Sequence, residues 1–136
     1  SKSGIENFIG VPDSTLKYFI SEGLINKKII ISTREEEAIG IAVGMSLCQR
    51  KSLVFMQNAG FANSLSTITS LVQLYQIPLI FLIGWRGYLS NDAPAQNALS
   101  PALLSMITLI LFFFPAVSIV LANLAKIFPG NALLWG

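Results

Sequence analysis

Continuous apolar runs alternate with stretches of helical period along most of this chain. The runs at Phe8 to Val11, Lys28 to Ser32, Ser52 to Gln57, Ile77 to Gly84 and Met106 to Phe114 read as strands. Those at Lys28, Leu79 and Met106 are apolar without alternation, which is the pattern of strands covered on both faces by helices. The sequence therefore predicts one α/β domain over residues 1–136, a three-layer α/β/α arrangement with a mostly parallel central sheet.

The intervening segments carry helix signals. A first helix is expected near Pro12-Asp13-Ser14, where Asp13 or Ser14 can cap free backbone N–H groups. Leu16, Phe19 and Ile20 form its apolar face and Gly23 ends it. In Ser32-Thr33-Arg34-Glu35-Glu36-Glu37, Thr33 and Glu36 have capping-box spacing, which gives Glu36 an ordinary structural role in a second helix. Gly40 and Gly44 lie one turn apart on that helix. Each costs about 1 kcal/mol relative to Ala, so a closely packed neighbour is expected. Asn58-Ala59-Gly60-Phe61-Ala62-Asn63 reads as a small polar turn before a helix from about Ser64 to Leu74.

Composition adds a partner to this picture. Apolar residues make up 53% of the 136 residues and charged residues 12%, about half the share of an average soluble domain. Much of the surface should thus be covered by another subunit or a membrane. The uncharged stretch from Ala93 to Ala125 must be weighed as a membrane span. Ser100-Pro101 and Pro115 break it, Ser105, Thr108, Ser118 and Asn123 interrupt it, and no Lys or Arg cluster flanks its N-terminal side. A buried strand plus helix is the better reading. The net charge of +2 is scattered, without a basic stripe that would follow nucleic-acid phosphates. Cys48 is the single cysteine and is expected to pack as a small core residue in a reducing, cytoplasmic setting. The N-terminal residues lack an initiator Met and a signal peptide's apolar core, and they read as starting inside an element, with part of the natural chain missing.

With no histidine present, a carboxylate is the best acid–base candidate, and the chain lacks a zinc-ligand pattern. Glu35 opens a helix directly after the strand Ile29-Ile30-Ile31. An acid at the C-terminal end of a parallel strand lies where open α/β sheets bind their ligands. Burial there favours its protonated form and suits it to proton transfer.

Five motifs occur in order: Gly10-Val11-Pro12-Asp13-Ser14, Thr33-Arg34-Glu35-Glu36-Glu37, Met56-Gln57-Asn58-Ala59-Gly60-Phe61-Ala62-Asn63-Ser64, Ile83-Gly84-Trp85-Arg86-Gly87 and Asp92-Ala93-Pro94-Ala95-Gln96. Together they resemble the pyrimidine-binding domain of thiamine-diphosphate-dependent 2-oxoacid decarboxylases. The nearest branch holds sulfopyruvate decarboxylase alpha subunits and phosphonopyruvate decarboxylases. The likeness runs over residues 8 to 97. Beyond it, Leu99 to Leu104, a strand, a helix and Asn131-Ala132-Leu133-Leu134 keep only the family's order of elements.

The resemblance implies that Glu35 bonds to the ring nitrogen of the cofactor's aminopyrimidine and is catalytic. It implies a second catalytic acid at Asp13, with Ser14 beside it at the substrate end. Asn58, Gly60 and Asn63 would lie beside the pyrimidine. Arg86 would pair with the substrate's second anion, which a guanidinium matches with paired donors, and Gln96 would reach the site from a mobile segment. The family's Gly-Asp-Gly motif with its Asn pair, which holds magnesium and diphosphate, does not occur in this sequence. A pyrophosphate-binding beta subunit is therefore the expected partner and the expected holder of Mg2+, in a hetero-oligomer acting on a small 2-oxo acid. Asn97 stands where phosphonopyruvate decarboxylases place a His, which tilts the reading toward sulfopyruvate. A phosphonopyruvate decarboxylase fragment, or a noncatalytic subunit retaining the fold, are the alternatives.

Overall fold

The computed structural model describes residues 4–87, 92–113 and 117–122. The elements are β1 (Asn7–Gly10), a 3-10 turn (Ser14–Leu16), α1 (Lys17–Ile25), β2 (Ile29–Ile31), α2 (Glu35–Leu47), β3 (Ser52–Gln57), α3 (Asn58–Asn63) and α4 (Leu65–Thr67). A π-helical turn (Ile68–Gln73), β4 (Leu79–Gly84), α5 (Pro94–Phe113) and β5 (Val117–Ala122) follow. The sheet is parallel throughout, in the order β2-β1-β3-β4-β5. Its register sets Phe8 against Ile29 and Leu53, and Val54 against Phe81.

Side-chain alternation along the strands divides the core into two layers. On one face Ile9, Val54, Met56, Phe81 and Ile83 meet residues from α2, α3, the π turn and α5, among them Ile39, Phe61, Val72 and Leu103. On the other, Leu53, Phe55 and Leu82 meet Leu16 and Ile20 of the α1 segment. Right-handed crossovers account for the division. The chain moves from β1 to β2 in one direction and then reverses past β1 to β3, so the crossover helix changes face. The expected three-layer α/β/α fold is thus present, with three of the four crossovers on one face and the α1 segment alone on the other. Edge-to-face aromatic pairs fasten both layers, Phe61–Phe81 at 5.7 Å on the thick side and Phe8–Phe19–Phe55 at 5.3 and 5.6 Å on the thin side.

Several local expectations are corrected. The apolar run from Met106 is not a strand, since α5 continues through Phe113 and the fifth strand is Val117–Ala122. A buried helix and a buried strand present the same unbroken apolar run, and Pro101 is accommodated inside α5 and does not end it. Asn58–Asn63 is helical where a turn was predicted, because Asn58 and Phe61 are fully buried and fix the segment against its neighbours. Gly23 lies within α1, which runs on to Ile25. Thr33 pairs with Glu37 and not Glu36, donating both its N–H and its hydroxyl to Glu37 Oε2 at 2.8 Å. That pairing holds the Glu37 carboxyl below its ordinary pKa. Nothing lies within 4 Å of a Cβ placed at Gly40 or Gly44, so the close neighbour expected there is not within this chain's described residues. Cys48 is exposed and not in the core. No helix among the described residues is long and apolar enough to cross a membrane. The expected segment Asn131 to Leu134 lies outside the described residues.

Candidate functional site

Strand order reverses at β1, so the chain leaves the C-terminal ends of β1 and β3 in opposite directions. That leaves the crevice in which open α/β sheets take their ligands. Most of the sequence-predicted residues lie on loops or helix starts along this rim, with Gly60 inside α3 and Asn63 at its end.

Glu35 is the first residue of α2, just past the end of β2, and is partly buried. Its side chain lies directly against Gly60 of α3. A Cβ at position 60 would stand 2.6 Å from the Glu35 Cδ and 2.7 Å from its Cγ. Only glycine lets the carboxylate occupy that place, and the carboxylate has no hydrogen-bond partner among the described residues. The Ser32 hydroxyl, three residues earlier at the same strand end, is likewise buried and unpartnered among them. An unpaired buried hydroxyl is costly, on the order of 1–3 kcal/mol, and at a ligand rim it is a donor available to a bound group. Sequence reading missed Ser32, since nothing local distinguishes it from a strand-terminal serine.

Asp13 follows β1 and does not cap with its side chain. Its carboxylate accepts the Thr15 hydroxyl and sits, with Thr15, over Gly84 at the end of β4, where a Cβ would collide with both. The Arg86 guanidinium is held protonated chiefly by its hydrogen bond to Asp92, with a smaller contribution from the Asp13 charge. Thr15 was not singled out from sequence, although its place two residues after Asp13 is the usual offset for such a local bond.

Arg86 is held from two sides. Its backbone is clasped by fully buried Asn58, which donates Nδ2–H to the Arg86 carbonyl at 2.9 Å and accepts the Arg86 N–H at 3.4 Å. Its guanidinium donates Nε–H and Nη2–H to Asp92 at 3.1 and 2.9 Å. Arg86 and the N–H of Ala93 hold the Asp92 carboxyl down to about 2. Asn97 closes the turn, accepting the Asp92 N–H at 3.2 Å and donating to its carbonyl at 2.9 Å. The Asn58 amide therefore works on Arg86 and does not point an unused group at the rim. Gln96 begins α5 with its backbone packed against Gly87, while its Oε1 is buried and unpartnered among the described residues. Trp85 Nε1 donates to Ser100 Oγ at 2.7 Å, tying α5 to β4 from below. Ser14 and Asn63 are exposed.

The structure thus brings together Glu35 with Gly60, Asp13 with Gly84 and Arg86, and Arg86 with Asn58 and Asp92. The polar groups there are two acceptor carboxylates, one of them against a glycine, and one donor arginine. They suit a ligand with a proton-bearing group at Glu35 and an oxyanion near Arg86.

No protein-family model matches the chain. It is similar to sulfopyruvate decarboxylase subunit alpha of Methanocaldococcus jannaschii, 41% identical over 96 residues, which are 69% of this chain and 57% of that protein. The subunit alpha of Methanococcus maripaludis is also 41% identical, over 69% of this chain and 58% of its own length. A phosphonopyruvate decarboxylase of Streptomyces hygroscopicus is 30% identical over 62% of this chain and 21% of that protein. The chain spans a little over half the length of the sulfopyruvate decarboxylase alpha subunits it matches. These likenesses support the reading taken from the five motifs.

Proposed function

We propose, from this likeness, that the chain is the alpha subunit of a cytoplasmic carboxy-lyase that converts 3-sulfopyruvate to sulfoacetaldehyde and CO2 with thiamine diphosphate. The observation that carries the proposal is the Glu35 carboxylate lying on Gly60 at the sheet's C-terminal rim, with Ser32 unpaired beside the same strand end. A free carboxylate acceptor, a neighbouring hydroxyl and a glycine that removes bulk from the approach fit the proton-bearing edge of a planar heterocycle. When bound, thiamine diphosphate supplies the sink for the electron pair that CO2 leaves behind.

The chain's residues contribute placement and charge. Glu35 would hold the pyrimidine end by accepting its proton at a carboxylate oxygen, and Gly60 keeps that oxygen at the rim. Asn63 and Ser14 would border the site from its exposed sides. Asp13, oriented by Thr15, is the second acid at the substrate end and would hold or return a proton there. Arg86 would take the sulfonate. Magnesium and the diphosphate fall to a pyrophosphate-binding beta subunit, so the active site is shared across a subunit interface. The name "subunit alpha" borne by the relatives agrees with a partner of this kind.

The test is CO2 release from 3-sulfopyruvate by the chain co-purified with its partner subunit, with and without thiamine diphosphate and magnesium. Cofactor-dependent turnover is expected, and Glu35→Gln is expected to lower it about 10³-fold with an unchanged melting temperature. Full activity of that variant, or turnover indifferent to the cofactor, would overturn the assignment. Failure of the assembled pair to bind the cofactor would leave a noncatalytic subunit that keeps the fold.

A further inference from the structure

We infer that Asp92 is a positioning residue that presents one edge of Arg86 to a substrate oxyanion. This deepens the reading above and rests on Arg86 being the substrate's anion contact.

A guanidinium offers five N–H donors around a flat fork, enough for two oxyanions on two different edges. Asp92 takes one edge side-on, through Nε at 3.1 Å and Nη2 at 2.9 Å. Nη1 has no partner among the described residues, and about a third of the Arg86 side chain is exposed, 32% against 22% for Asp92. Among the described residues the remaining Nη1/Nη2 edge is therefore the one left for a ligand, and it is sized for two oxygens of a sulfonate or carboxylate. Asp92 can act as a fixed pivot because it is itself held. Ala93 N–H donates to its Oδ1 at 2.8 Å, and Asn97 closes both backbone groups. Asn58 fixes the other end by clasping the Arg86 backbone across 28 residues of sequence. With its main chain and one edge both anchored, Arg86 has little conformational freedom left to lose on binding.

Two opposing effects set the sign of the consequence. Freezing an arginine's rotamers in advance corresponds to a factor of up to roughly 30 in affinity. The Asp92 charge repels an incoming anion, but at the exposed rim, some 6 Å away in a water-like medium, this amounts to roughly threefold. Positioning outweighs repulsion, and removing the Asp92 charge should weaken binding about fivefold to tenfold.

The experiment is calorimetric titration of 3-sulfopropionate, an unreactive sulfonate with a carboxylate, into the assembled protein. Asp92→Asn keeps an oxygen for the Ala93 N–H, so the start of α5 remains capped. Circular dichroism melting verifies that each variant is folded. Arg86→Lys keeps the charge and the pairing with Asp92 but has no second edge. The expected result is a fivefold to tenfold loss of affinity for Asp92→Asn, a larger loss for Arg86→Lys, and no further loss when Asp92→Asn is added to Arg86→Lys. Propionate, which lacks the sulfonate, should bind all variants alike. Unchanged or tighter 3-sulfopropionate binding by Asp92→Asn would overturn the inference and leave Arg86 as the anion contact. Wild-type affinity in Arg86→Lys would instead remove Arg86 from substrate recognition, and the inference with it. Equal losses for 3-sulfopropionate and propionate in Asp92→Asn would make Asp92 merely structural and overturn the inference too.

Discussion

The two ends of the same parallel sheet are built differently. At the C-terminal rim, Gly60 lies under Glu35, Gly84 under Asp13 and Thr15, and Gly87 under the first turn of α5, each at a distance that a Cβ would close. Around them, Asn58, Arg86, Asp92 and Asn97 form one connected set of hydrogen bonds. At the N-terminal rim the strands are joined mainly through the backbone, Glu6 N–H donating to the Lys51 carbonyl at 2.9 Å and Phe8 N–H to the Lys28 carbonyl at 2.8 Å. Glu6 and Arg50 meet at 3.0 Å with both side chains about half exposed. Asn7 Nδ2 and Ser52 Oγ, register neighbours on β1 and β3, are buried without partners among the described residues. The first rim has glycines that admit carboxylate and hydroxyl groups and an arginine bound at both ends, with Ser32 and Gln96 left unpartnered there among the described residues, whereas at the second rim no carboxylate is packed on a glycine among the described residues. That close packing makes the first rim the candidate site.

Substitutions at glycine break the comparison most sharply. Gly60→Ala should push the Glu35 carboxylate aside, lowering turnover by about 100-fold and destabilising the fold by about 1–3 kcal/mol. The two are read by the CO2 assay and by denaturant titration. A normal rate in a folded Gly60→Ala protein would show that Glu35 needs no close approach to α3. Gly40→Ala serves as the counterpart, since open space surrounds that position. It should stabilise the isolated chain by about 0.5–1 kcal/mol, and a loss of stability in the same titration would reveal a contact that the comparison leaves out. At the opposite rim, Arg50→Ala should cost about 0.5 kcal/mol or less, shrinking further in high salt, because exposed pairs are weak and screened. A cost several times larger would mean that the N-terminal rim is as tightly built as the other.

Much of this was legible in the sequence where a signal is local. The first four strands followed from unbroken apolar runs, and Glu35 stood out as an acid directly after one of them. Asp13, Asn58, Gly60 and Arg86 are singled out only by the resemblance of the five motifs to a known family. What escaped was decided by distant neighbours. The apolar run at Met106 fits a buried helix as well as a strand, and only its packing through Leu103 and Ile107 against the sheet separates the two. Asn58–Asn63 has turn composition, yet burial of Asn58 and Phe61 makes it helical. The job of Asn58, holding a backbone unit 28 positions away, cannot be read from the residues beside it. Nor can the pairing of Arg86 with Asp92, which needs the turn at α5 to exist first.

β2 is three residues long, lies at the sheet's edge, and is the strand whose end precedes Glu35. So short a border offers another polypeptide too few free amide and carbonyl groups to extend the sheet, and the residues beyond it turn at once into α2. During synthesis and in a crowded cell, this side of the molecule is a poor template for runaway strand addition.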